Sequence, residues 1–116
     1  MKLIKKILKI TLYVLGFAIL IVQFIRPEKN ASGSSNNNIT TQFAVPAEVE
    51  SMLKTSCYDC HSNTTTYPWY ASVQPVGWWL ADHIKDGKDE LNFDEFASYS
   101  PRRQYKKFNE IVEQVT

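Results

Sequence analysis

Apolar residues run almost unbroken from Ile10 to Ile25, interrupted only by Thr11, Gly16 and Gln23, and Lys2, Lys5, Lys6 and Lys9 all precede that run. Counted from Ile7, a helix over this stretch rises about 28 Å at 1.5 Å per residue, close to the thickness of bilayer hydrocarbon. Lys9 lies near enough to its end for the ammonium to reach water. Residues 1–26 are therefore expected to form one N-terminal transmembrane signal anchor, with residues 10–25 as the span. The one-sided lysines place residues 1–9 in the cytoplasm and everything after Arg26 outside it. No small-residue cleavage site precedes Arg26-Pro27, which favours an uncleaved anchor over a cleaved signal peptide.

Beyond the run the pattern changes twice. Residues 27–42, rich in Asn and Ser, carry too little apolar surface to fold and read as a flexible polar linker. From Phe43 to Thr116 apolar residues return at helical spacing, and no convincing strand appears. A helix is predicted from Pro46 to Ser56, with Val49, Met52 and Leu53 on its apolar face and Cys57 continuing that face. A second is predicted from Pro75 to Asp86, stopping at Gly87, with Val76, Trp79, Leu80 and His83 on one side. Asn92 and Glu95 suggest a short capped helix over Leu91–Phe96. Ser100 caps a last helix that begins at Pro101 and carries a stripe of Tyr105, Phe108, Ile111, Val112 and Val115. The expected fold is all-α, one small helical domain over residues 43–116. A domain of that size is near the limit at which an apolar core suffices alone.

Charge changes the picture once it is divided. Five of the 13 Lys and Arg residues lie at or before Arg26, which leaves eight against 12 acidic residues from Pro27 onward, a net −4. Asp82, Asp86, Asp89, Glu90, Asp94 and Glu95 fall in one stretch and Arg102, Arg103, Lys106 and Lys107 in the next. Such asymmetry suits solvated helix faces, or a surface for a redox protein partner met by charge steering. No basic patch suits nucleic acid.

The candidate chemistry lies in Cys57-Tyr58-Asp59-Cys60-His61, which holds the chain's only two cysteines. A CxxCH in an exported chain is the pattern of c-type haem attachment. Two thiols on one helical turn can each form a thioether to a haem vinyl group, and the adjacent imidazole can ligate the iron. His61 is the expected proximal metal ligand, its second ring nitrogen donating to a backbone carbonyl or similar acceptor. Haem c, covalent and one per chain, is the expected cofactor. Three alternatives stand beside it. A dithiol redox motif needs a βαβ context that is missing here. A zinc site needs donors beyond Cys57, Cys60, His61 and His83, the only other histidine. A disulfide would leave His61 without a role.

Two further sets of residues bear on a haem. Trp69, Tyr70, Trp78 and Trp79 are dense for so short a segment, so Trp69 and Trp79 are candidate walls for a porphyrin, or simply core. His83, on the apolar side of its predicted helix, is either a packed histidine or the sixth ligand to iron. Met52 is too close to His61 in sequence and on the same side, and is expected to pack.

Beyond the bare motif, Cys57–Asn63, Tyr67-Pro68-Trp69-Tyr70, Pro75–Ile84, Gly87 and Leu91-Asn92-Phe93 together resemble the small bacterial haem-binding domain family with a cytochrome-c-like motif. The resemblance covers roughly Phe43 to Thr116. It implies an exported or membrane-anchored haem protein and supplies neither a reaction nor a partner. It also implies a Met-Pro-Leu-like segment past the last helix that offers a methionine to iron. The sequence ends at Thr116, so either it is C-terminally truncated, or His83 binds the iron, or the distal position is open. The expected function is single-electron transfer by a monohaem c-type domain, a carrier rather than an enzyme, held at the bacterial inner membrane and facing the periplasm. A five-coordinate haem sensor or small-gas-binding module is the alternative, and a non-haem interaction domain with a CxxC disulfide is the second.

Overall fold

The computed structural model describes residues 1–116 and is helical throughout, with no strand beyond one isolated bridge between Ala31 and Thr64. Six α-helices follow in order: α1 Lys2–Val22, α2 Ile39–Gln42, α3 Ala47–Ser56, α4 Tyr58–His61, α5 Val76–Glu90 and α6 Pro101–Val115. Turns of 3-10 helix lie at Trp69–Ser72 and Phe96–Ser98. The chain divides into two compact units, one of Met1–Glu28 with Tyr67–Ala81, the other of Lys29–Thr66 with Asp82–Thr116.

In the first unit, α1 buries none of its residues. No helix of the protein is long and apolar enough to cross a membrane, which corrects the expected span over residues 10–25. The helix spends its first turns on the four lysines and ends at Val22, so its lysine-free part is residues 10–22. That part rises only about 20 Å, well short of the hydrocarbon thickness. The end of α1 is tied to the Tyr67–Ala81 segment instead. The Gln23 side chain accepts from the Gln74 amide at 2.8 Å and donates to the Gln74 carbonyl at 2.9 Å. Trp78 Nε1 donates to the Ile25 carbonyl at 2.7 Å.

The second unit has a small aromatic core. Ile39, Leu91, Phe93 and Phe96 are buried, and Phe43, Leu53, Cys57, Tyr58, Tyr99 and Ile111 pack around them. Tyr58 stacks on Phe93 with ring centroids 5.4 Å apart, and Phe96 lies 5.1 Å from Phe108. Residues 29–42 are part of this unit rather than a free tether. Ile39 supplies the apolar contact that composition alone concealed, and asparagine and serine side chains supply the rest. Asn30 Nδ2 donates to the Ser62 carbonyl and Thr65 Oγ1, each at 2.9 Å. Asn38 caps α2 through the Thr40 amide and donates to Asp94 Oδ1 at 2.8 Å.

Pro46 and Ser100 begin α3 and α6 as the sequence predicts, Ser100 Oγ accepting from the Arg103 amide. Two other expectations change. Residues 91–95 form a turn, because Asn92 Oδ1 accepts from the Asp94 amide and bends the chain before a helix can start. Helix α5 runs through Gly87 to Glu90.

Its inward stripe is Gly77, Leu80, Ala81, Ile84, Gly87 and Lys88, one position on from the predicted face. The glycines set that rotation. A methyl group on Gly77 would collide with the Ala71 carbonyl and the Gln74 side chain, and one on Gly87 would stand 2.5 Å from the Cys60 carbonyl oxygen. Helix α6 is turned likewise, with Gln104, Lys107 and Ile111 facing in while Tyr105, Val112 and Val115 are exposed.

Candidate haem-attachment site

Cys57 ends one helix and starts the next. Its amide donates to the Leu53 carbonyl at 2.9 Å, and its own carbonyl accepts from the Cys60 and His61 amides at 3.3 and 3.0 Å. Cys57, Cys60 and His61 therefore share one tight turn, each half-buried, and both thiols are free. Burial pushes the Cys60 thiol above its usual range, and the neighbouring Asp59 charge adds to the effect.

The imidazole of His61 is held from one side. Its Nδ1 lies 2.8 Å from the Gly87 carbonyl and 2.9 Å from the Leu91 carbonyl. Both partners are acceptors, so Nδ1 carries a proton, and in the neutral ring Nε2 keeps its lone pair. Gly87 contributes twice. Its missing side chain lets α5 close on Cys60, and that closure brings its carbonyl to the ring. The backbone is pinned as well, since the His61 carbonyl accepts from the Phe93 amide at 2.8 Å.

The loop after the motif is fixed by a buried polar network. Asp94, 4% exposed, accepts from the Asn63 amide at 2.8 Å and also from Asn38. Asn92 donates to Asn63 Oδ1 at 2.7 Å, and Ser35 Oγ donates to the Asp94 carbonyl. These groups are satisfied within the protein, so they hold the loop rather than a ligand.

Beside Cys57 and His61 opens a cavity of about 590 Å³, within the ordinary range for cofactor sites. Leu91, Phe93, Ile111 and Val115 give it apolar walls, and Glu90, Lys107 and Glu110 give it a charged margin. Lys107, its side chain 8% exposed, pairs with Glu110 at 2.8 Å and Glu90 at 3.6 Å. The hydrogen bond from Lys107 holds the Glu110 carboxyl below its usual range. No group of three or more His, Cys, Asp or Glu side chains is placed to hold a metal ion by itself. The donor set suits a haem, whose own ring supplies four nitrogens. Two thiols lie on one turn with one imidazole, and an apolar cavity adjoins Cys57 and His61.

The other sequence candidates lie elsewhere. His83 is exposed, because the rotation of α5 gives the inward place to Ile84, which is 3% exposed. Trp69 and Trp79 belong to the first unit, are 81% and 60% exposed, and do not line the cavity. Met52 is exposed rather than packed. Sequence reasoning missed the carbonyls of Gly87 and Leu91, Asp94 as the fastener of the motif loop, and Lys107. A glycine amid good helix formers was the one available signal for the first of these.

A family model described as a haem-binding domain matches residues 17–116. Comparison with curated proteins and with solved structures gives no match.

Proposed function

The chain belongs to the haem-binding domain family, and from that premise we propose that it carries one haem covalently on Cys57 and Cys60 and transfers single electrons. The observation that carries this reading is the clamp on His61. Its Nδ1–H is shared between the carbonyl of Gly87 in α5 and that of Leu91 just past the end of that helix, so Nε2 is the nitrogen presented to a ligand. Bound haem iron would supply a one-electron couple. The residues would do the rest: Cys57 and Cys60 would fix the group's edge, Leu91, Phe93, Ile111 and Val115 would keep water from one side, and His61 would hold the metal.

We further propose that the chain is exported and acts at the periplasmic face of the bacterial inner membrane. Support comes from α1, whose apolar side chains are exposed on every face and have no protein to cover them. A redox protein is the proposed partner.

Expression with a c-type maturation system tests the central reading. The protein should keep its haem through denaturing electrophoresis and acid-acetone extraction, and the Cys57→Ala, Cys60→Ala double variant should lose it. His61→Ala should retain haem covalently but lose the absorbance bands of histidine-ligated iron. Wild-type protein emerging without covalent haem would defeat the proposal. One observation favours a second reading, a five-coordinate sensor or small-gas-binding module: apart from His61, no histidine or methionine lines the cavity. High-spin bands, and carbon monoxide binding by the ferrous wild type, would select it.

A further inference from the structure

We infer that the Tyr67–Ala81 segment is an aromatic anchor that seats its unit at the lipid headgroup level of a membrane. The inference rests on the membrane reading above and names the residues that make the interfacial contact.

The segment is small, yet it exposes an unusual amount of amphipathic surface. Trp69 is 81% exposed, Trp79 60%, and Tyr70, Val73 and Val76 are also exposed. Trp69 and Tyr70 meet edge to face with centroids 5.7 Å apart, so the rings form a patch rather than isolated side chains. Trp and Tyr have an apolar body and a polar tip, which is why they collect where hydrocarbon meets water.

The patch is attached to the one element that has a reason to enter lipid. Gln23 grips both backbone groups of Gln74, and the Trp78 indole satisfies the Ile25 carbonyl at the end of the apolar run.

Charge agrees with a lipid surface. Lys2, Lys5, Lys6 and Lys9 stand at one end of α1 and Arg26 follows its other end, while no acidic residue occurs before Glu28. Residues 67–81 themselves carry no charged side chain, so seating them at the headgroup level desolvates no charge.

Flotation of the full haem-loaded chain with vesicles of phosphatidylcholine and phosphatidylglycerol provides the test. Wild type should float, and the Trp69→Ser, Trp79→Ser variant should partition less by roughly tenfold per ring removed from lipid. With 5-fluorotryptophan in place of Trp, a gadolinium-chelating headgroup lipid should broaden the Trp69 and Trp79 resonances more than that of Trp78. An unchanged haem spectrum shows that the variant is folded. Equal flotation of variant and wild type, with no selective broadening, overturns the anchor and leaves the membrane reading standing on α1. Failure of wild type to float overturns both. A wild-type dimer in detergent that the double variant converts to monomer would assign the rings to contact between copies and overturn the anchor.

Discussion

Gly77 and Gly87 stand on the same buried stripe of α5, and each admits a backbone carbonyl where any other residue would place a methyl. At Gly77 the approaching chain is the Ala71–Gln74 corner, which carries no chemistry. At Gly87 it is the CxxCH turn, and the helix answers with its own carbonyl on His61. One packing device thus makes a structural joint at one place and positions a ligand at the other. The difference lies in what the closed gap contains.

The largest effect is expected from Gly87→Val. Its methyls meet the Cys60 backbone, which cannot swing aside as a side-chain tip would. Beyond an overpacking cost of about 1–3 kcal/mol or more, the carbonyls should leave His61. Covalent haem yield should collapse, measured by haem stain per mole of chain. Gly77→Ala should cost a comparable ~1–3 kcal/mol by thermal melting, yet leave the haem spectrum and reduction potential of the folded fraction unchanged. Equal spectral damage from both would break the comparison.

Gln23→Ala sharpens it from the structural side. Loss of its two hydrogen bonds to Gln74 should cost about 1–2 kcal/mol, seen as faster exchange of the Gln74 amide with no change near His61. His83→Ala should do less still. With the imidazole on the outer side of α5, absorbance and carbon monoxide binding should match wild type, and a departure in either would restore His83 to the iron.

The smallest effect concerns Glu110. Its carboxyl titrates below the usual range when folded, so its pairing with Lys107 contributes above the unfolded value and is lost as pH falls through the folded one. In an acid melt the wild type should lose this contribution, and Glu110→Gln should flatten that part of the curve.

What the sequence made legible follows from where the signals reside. Helix starts were readable because Pro46 and Ser100-Pro101 announce them with side chains. That Cys57, Cys60 and His61 share one turn was readable for the same reason. The end of α5 was not, since Gly87 serves close approach there and resembles a terminator only in isolation. Faces slipped by one residue on α5 and α6, where the glycine contacts and buried Gln104 and Lys107 outweigh the apolar stripe. Residues 29–42 misled because hydrogen bonds from Asn30, Ser35 and Asn38 replace apolar burial. The second partner of the imidazole was foreseen only as some carbonyl. Backbone groups leave no trace in composition, so apart from the glycine itself nothing pointed to the carbonyls of Gly87 and Leu91.

The shared Nδ1 proton of His61 has a consequence for speed. A ring pinned by two carbonyls at the end of a helix has little freedom to pivot when the charge on a metal at Nε2 changes by one unit. In the proposed role, each electron would arrive and leave with little nuclear rearrangement of that ligand. Low reorganisation energy would then be a property of the scaffold, present in the fold before any cofactor is attached.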